Sequence, residues 1–397
     1  MSARLVLFLF LGLDVVFLLL KTSDLSISYY EADLLYGEAS ALQYIVKFSL
    51  FVFGQNDFAL RLPMVIMHLL STLLLYKISK NYVDLDRNRV WLIIVFVLLP
   101  GVMSSALIVN DAGLVIFGLF LFIYVYQNFS QKLTYPLLAS YLLFSNGFIY
   151  LFLSLSVFSS FKKDAKFFVL NMTLFFISLY MFGIDAHGTP KNYFIESMGI
   201  YAAIFSPIIF IYLVYVLYRK YLSKDLDMLF YIASTAFIIS LVLSFRQKVE
   251  LEIFAPYLLV ALPIVAQTFE RSYRVRLNMF RKNYKLIFTI SLALLLLNSS
   301  VVFFNKYLYI FIEKPKRHFS YKLHVAKELA QKLKDRGITC VDSRAKMRDR
   351  LKFYGVTKCN KYVLDKIVDE TRSDDFVTVS YKNRQVYFAH VTKLNIN

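Results

Sequence analysis

The chain has 397 residues, of which 58% are hydrophobic, 17% aromatic and 18% charged, with a mean hydropathy of +0.56 and a formal net charge of +18. No single soluble core could bury that much apolar surface, which excludes an ordinary soluble enzyme and indicates a polytopic membrane protein. The basic residues lie mostly in short segments between apolar runs, where the positive-inside rule explains them without nucleic acid as a partner.

In chain order, Arg4 precedes an apolar run over 5–20 that ends in Lys21-Thr22-Ser23-Asp24. No small-residue cleavage site follows it, so the run is expected to be an uncleaved first span. Asp14 lies inside that span, either as a functional acid or as a carboxyl with a hydroxyl partner in the bundle interior. A polar loop over 22–61 comes next and carries Glu31 and Asp33. Within it, the apolar stretch 39–53 would rise only about 22 Å as a helix, short of a hydrocarbon core of about 30 Å, and is expected in the interface. Gln43 and Lys47 are spaced to share one face of that helix.

Arg61-Leu62-Pro63 opens the second span, which runs to about Ile78. Further apolar runs cover 90–109, 112–126, 167–184, 199–218, 228–245, 253–269 and 286–304, and 133–161 reads as a hairpin of two short spans around Asn146-Gly147. The expected fold class is therefore an all-α polytopic membrane protein with about eleven transmembrane helices. With that count the basic clusters at 77–89, 162–166, 219–224 and 271–285 fall on the cytoplasmic side. Lys21, Lys47, Arg61, Lys191, Arg246 and Lys248 are left for the opposite loops. The loop 22–61, Asn110-Asp111, Asn146-Gly147, the segment 185–196 and the segment 246–252 then all face outward.

From Lys314 the composition turns polar, and residues 314–397 are expected to form a small α/β domain outside the cytoplasm, separate from a transmembrane domain over 1–313. Ser320 can cap a helix ending before Gly337. Residues 338–342 read as a strand, 344–354 as a helix, and 376–381 and 385–391 as two strands. Cys340 and Cys359 both fall in this region, and an exported compartment would allow them to pair or leave them as two thiols.

Several patterns carry no chemistry. Asp84-Leu85-Asp86 and Asp225-Leu226-Asp227 imitate the acidic triplet of soluble nucleotide-sugar transferases, yet both lie in turns flanked by basic residues on the cytoplasmic side. His68, His187, His318, His324 and His390 show no zinc-ligand spacing, no cofactor site is visible, and the need for a divalent cation is left open. No Gly-rich phosphate loop is present. What topology collects on one face is Glu31, Asp33, Asp111, Lys47, Arg61, Arg246 and Lys248. A carboxylate can take the proton of an acceptor hydroxyl, while arginine and lysine can hold a phosphate and stabilise its charge as it leaves.

An acidic first outer loop, an interfacial helix and the string Phe53-Gly54-Gln55-Asn56-Asp57-Phe58-Ala59-Leu60-Arg61-Leu62-Pro63 lead into the second span. Together with Leu99-Pro100 and an acid at Asp111, this pattern resembles the integral-membrane (C-type) glycosyltransferases of the protein O-mannosyltransferase and aminoarabinose transferase kind, glycosyltransferase family 39. In that family the first loop carries an Asp-Glu pair. Here Tyr30 stands where the aspartate would be, Glu31 matches the glutamate and Asp33 offers a second carboxylate. The Pro and aromatic residues that many members carry in mid-loop are missing, and Asn146-Gly147 resembles a Lys-Gly turn with the cation replaced.

The resemblance implies an inverting hexosyl- or pentosyltransferase acting at the outer face of a bacterial inner membrane, between a polyprenyl-phosphate sugar donor and a lipid, glycan or protein acceptor. Glu31 or Asp33 would be the general base, and Asp111 would position acceptor or sugar. Lys47, Arg61, Arg246 and Lys248 would bind the carrier phosphate, and membrane lipids would surround the spans. A flippase for a lipid-linked sugar, or an assembly subunit with a degenerate site, would use the same loop without a base.

Overall fold

The computed structural model describes residues 3–183, 191–365, 376–381 and 384–393. Their helices are α1 (Ala3–Asp24), α2 (Tyr29–Tyr36), α3 (Ala41–Phe53), α4 (Asp57–Ile78), α5 (Asp86–Leu98), α6 (Pro100–Leu107), α7 (Asp111–Asn128), α8 (Gln131–Tyr141) and α9 (Ile149–Lys162). There follow α10 (Ala165–Phe182), α11 (Phe194–Phe205), α12 (Pro207–Ser223), α13 (Met228–Ser244), α14 (Leu251–Leu259), α15 (Leu262–Val275), α16 (Asn278–Phe303), α17 (Ala326–Asp335) and α18 (Ala345–Phe353). Three strands close the order: β1 (Tyr362–Asp365), β2 (Phe376–Tyr381) and β3 (Arg384–Lys393). The chain divides into two compact units, Met1–Phe17 with Met64–Ser299, and Leu18–Pro63 with Ser300–Asn397. The loop over 22–61 thus folds with the C-terminal residues, a grouping that the division at 313 and 314 did not anticipate.

The first unit is the apolar bundle. Each expected span coincides with a helix or a bent helix pair, and the bends lie where the sequence puts proline. Leu99 is extended ahead of Pro100, and α5 and α6 meet at 63°. Ser206, with φ of 66°, precedes Pro207, and α11 and α12 meet at 106°. Proline disfavours helical geometry in the residue before it, yet its own fixed φ suits the first turn of the next helix. Among the described residues, five helices are long and apolar enough to cross a membrane, or up to eight if each bent pair is one span. The expected count of about eleven exceeds this because α8, α9 and α13, with 11, 14 and 17 residues, fall short of a full crossing as straight helices.

At the expected hairpin, Ser145 accepts from the Gly147 amide to start a 3-10 turn over Asn146–Phe148. Gly147 is required there: a Cβ would sit 2.5 Å from Val115 Cγ2, and its carbonyl accepts from Tyr257 at 2.6 Å. Asp14 finds its partner in His68, whose Nε2 lies 2.9 Å from its carboxylate, rather than in a hydroxyl.

In the second unit, β3 is the central strand of an antiparallel sheet ordered β1-β3-β2. Val377, Val379, Ala389 and Val391 point from it into a core shared with Leu329 and Leu333 of α17 and Leu351 of α18. The strand expected at 338–342 is reduced to two isolated bridges, Cys340 with Thr357 and Asp342 with Val363. Ser320 does not cap α17. Its amide donates to His318 Nδ1, a 3-10 turn follows at Tyr321–Leu323, and the helix starts only after Val325.

Cys340 and Cys359 are joined in a disulfide with Cα atoms 5.4 Å apart and a sequence separation of 19. Closing a loop of that length removes about 3 kcal/mol of unfolded-state entropy. Reduction, or Cys340→Ser, is expected to lower the melting temperature of this unit, measured by differential scanning fluorimetry with and without reductant.

His324 is fully buried, and burial, then the charge of Lys306, pushes its pKa down from 6.5 to about 3. In the unfolded chain it would protonate near 6.5, so its contribution to stability is complete above that pH and is lost as pH falls toward 3. His318 is shifted the same way by burial. Stability measured against pH should therefore fall below pH 6.5, with a shallower slope in His324→Gln.

Candidate active site

Ser28 begins α2 with a reciprocal cap: its hydroxyl accepts from the Glu31 amide at 3.1 Å, and the Glu31 carboxylate accepts from the Ser28 amide at 2.8 Å. That turn aims Glu31 inward. There it receives both Nε and Nη2 of Arg61, at 3.0 and 2.9 Å, with neither side chain exposed. Arg61 completes its set by donating from Nη1 to the carbonyls of Thr22 and Leu25 and from Nη2 to that of Ser26. A guanidinium has five N–H donors, and all five are engaged. In this conformation Arg61 gathers the segment 22–31 around itself, and no N–H is left over for a carrier phosphate.

Segments of the C-terminal region complete the frame. Tyr354 donates to Asp57 at 2.6 Å and accepts from the Ile27 amide at 2.8 Å. Lys327 pairs with the same aspartate at 2.9 Å. Arg350, buried beside Glu31 and Tyr354, donates to the carbonyls of Ile27 and His324. Burial holds the Tyr354 phenol well above its usual range, so it stays protonated and keeps donating to Asp57. Tyr354→Phe should cost about 1–3 kcal/mol, because it leaves the Ile27 amide and an Asp57 oxygen short of partners. Denaturant melts of the variant check this.

Asp33, two residues beyond Glu31, lies on the other side of α2 and is exposed. Gln43 is buried and donates to the carbonyls of Leu34, Leu35 and Gly37 at the end of α2, tying α3 to it. Lys47, one turn on, is exposed, so the two do not share an environment as their spacing suggested. Glu31, Asp33, Lys47 and Arg61 all belong to the second unit, and only Glu31 and Arg61 are in direct contact.

The other predicted residues belong to the first unit. Asp111 is the first residue of α7, behind an Asn110 cap whose side chain accepts from the Gly113 amide. Arg246 and Lys248 lie between α13 and α14, both exposed, and Lys248 pairs with Glu196 at 3.6 Å. His187 and the rest of 185–190 lie outside the described residues. Among the described residues, no three histidine, cysteine, aspartate or glutamate side chains are grouped for a metal ion.

The sequence reading missed Asp57, Lys327, Arg350 and Tyr354. It also passed over the pattern Ser28-x-x-Glu31, a capping-box signature that marks Glu31 as a helix-start residue turned toward its own backbone.

Residues 38–158 match the family model described as dolichyl-phosphate-mannose-protein mannosyltransferase. The match takes in the Gly54–Pro63 string and Asp111, and starts just after α2. No curated protein sequence matches the chain. The fold is similar to the crystal structure of ArnT from Cupriavidus metallidurans in the apo state, with a TM-score of 0.55 at 11% identity over 98% of each chain. Over residues 38–158, then, the chain is similar in sequence to the dolichyl-phosphate-mannose-protein mannosyltransferases, and over nearly its whole length it has the fold of that membrane-embedded ArnT structure.

Proposed function

We propose that the protein is an inverting glycosyltransferase that moves a sugar from a polyprenyl-phosphate carrier to an acceptor at the outer face of the membrane, with Asp33 as its general base. The observation that carries this reading is the division of labour on α2. Glu31 is locked against Arg61 with no exposure, while Asp33 on the same short helix is open to solvent. A base must reach the acceptor hydroxyl to about 2.6–3.2 Å once substrate is bound, and in this conformation the exposed residue has that access while Glu31 is engaged by Arg61.

In the proposed step Asp33 takes the proton of the acceptor hydroxyl. The acceptor oxygen bonds to the anomeric carbon, the bond from that carbon to the carrier phosphate breaks, and its electron pair leaves with the phosphate. Lys47, exposed on α3 of the same unit, is the cation proposed for the carrier phosphate, since Arg61 is engaged. The disulfide between Cys340 and Cys359 supports an outer, oxidising location for the unit that holds α2. The sugar and the acceptor's scaffold are to be read from the cell. Mass spectrometry of envelope lipids and glycans with and without the gene should show one glycoform lost. An unchanged glycan profile with an altered sidedness of lipid-linked sugar would instead favour a flippase.

A further inference from the structure

On the apolar unit, Tyr135 of α8 and Ala165, Lys166, Val169, Leu170 and Thr173 of α10 wall a groove of about 630 Å³. Cavities that take small-molecule ligands run from about 300 to 1,000 Å³. On α10 the buried face is Phe167, Asn171, Leu174 and Ser178, and the groove residues form the rows beside it, Ala165-Val169-Thr173 and Lys166-Leu170. The Thr173 hydroxyl donates to the Val169 carbonyl of its own helix at 2.9 Å, so below Lys166 the walls of α10 are essentially apolar. Tyr135 is fixed by stacking on Phe167, with ring centres 6.1 Å apart.

Helix lengths place the groove in the membrane. α10 has 18 residues, a rise of about 27 Å against a hydrocarbon core of about 30 Å, so Lys166 near its start stands at the level of the lipid phosphates. From Lys166 to Thr173 the groove descends about 10 Å, most of one leaflet. Phe167 also lies 6.1 Å from Tyr126 near the last turn of α7, so the groove opens at the end of the bundle away from Asp111, which starts that helix. Positive charge gathers at this mouth. Lys132 in the first turn of α8, Lys162 and Lys163 at the end of α9, and Lys166 are all exposed, and none has an ion-pair partner among the described residues. Lys162 rests over the Phe158 ring at 4.9 Å, and the acid among them, Asp164, accepts from the Phe167 amide to cap α10. Elsewhere between the spans, Arg89, Lys220 and Arg274 are paired with Asp86, Asp225 and Asp84.

We infer that the groove is a binding site for one anionic phospholipid: an acyl chain lies along Tyr135, Val169, Leu170 and Thr173, and the headgroup phosphate meets Lys166 and the lysines around it. This site does not depend on glycosyl transfer. An apolar slot about one leaflet deep, with cations only at its rim, has the polarity of a phospholipid standing in that leaflet. The unpaired lysines select the headgroup. A zwitterionic lipid brings its own cation and leaves them uncompensated, whereas a net negative headgroup neutralises them through charge-assisted contacts. Free phosphate lacks the chain whose burial fills the slot.

The test is native mass spectrometry of the full chain in neutral detergent, with phosphatidylglycerol, phosphatidylcholine, polyprenyl phosphate and inorganic phosphate as probes. One phosphatidylglycerol should be retained at least about five-fold more tightly than phosphatidylcholine. Lys166→Gln should weaken that binding about five-fold, the effect of one cation at the membrane surface. Val169→Trp, which fills the exposed slot and leaves the buried face of α10 untouched, should abolish it, and Thr173→Trp should do the same one turn on. Lys282→Gln, in the basic segment at the start of α16, should leave it unchanged. Melting temperatures taken without lipid show which variants are folded. Equal retention of phosphatidylcholine, or equal losses in Lys166→Gln and Lys282→Gln, would mean the general attraction of a basic surface and overturns the site. Undiminished retention in a folded Val169→Trp or Thr173→Trp overturns it as well. So does displacement by inorganic phosphate, which would show that the chain adds nothing, and so does preferred retention of polyprenyl phosphate, which would give the groove to the carrier.

Discussion

Arg61→Ala is expected to destabilise the unit formed by 18–63 and 300–397 by about 3–5 kcal/mol, the range for removing one partner of a buried ion pair. The loss is large because the carboxylate of Glu31 would stay behind without its two strongest donors in a site with no exposure. Three carbonyls, of Thr22, Leu25 and Ser26, would lose their donors as well. Arg61→Lys should recover little: an ammonium has three donors and cannot make the two-pronged contact with Glu31 while also reaching those carbonyls. Glu31→Gln is expected to fall between, since a neutral amide can keep the cap on Ser28 yet cannot neutralise the buried guanidinium. Hydrogen exchange of 22–31 and thermal melts in detergent would measure each. A melting temperature unchanged in Arg61→Ala would show that the pair does not hold the loop.

How far the sequence disclosed this arrangement depends on the kind of signal. Apolar runs report helices well, because every turn of a helix in lipid must be apolar, and the proline at each bend is visible as a letter. Pro100 and Pro207 therefore mark real breaks, although how sharply each pair bends depends on packing that the letters do not state. The charges of the first loop were legible as a set and illegible as individuals. Glu31 and Arg61 are 30 positions apart, and nothing in their spacing distinguishes a mutual pair from two residues waiting for substrate. The contacts that frame the same loop at Ile27 come from Arg350 and Tyr354, some 300 positions on, which a reading by local pattern cannot supply. The small sheet was legible in β2 and β3, where alternation is clean. It failed at 338–342, where the backbone makes only single bridges and no ladder.

Asp33→Asn should lower the rate of transfer about 10²-fold or more while leaving the melting temperature unchanged. The side chain is exposed and has no ion-pair partner among the described residues, so its carboxylate oxygen can be exchanged for an amide at little structural cost. What the amide cannot do is accept the acceptor's proton. The loss should therefore appear in kcat, with KM for the donor little changed, because the carrier phosphate is held by other groups. This pattern separates Asp33 from Glu31, whose replacement lowers stability and activity together. It also separates transfer from flipping, since a flippase needs no base and its flux would survive the substitution. Full activity in Asp33→Asn would remove the assignment, and with Glu31 sealed against Arg61 it would leave Asp111 as the next carboxylate to test.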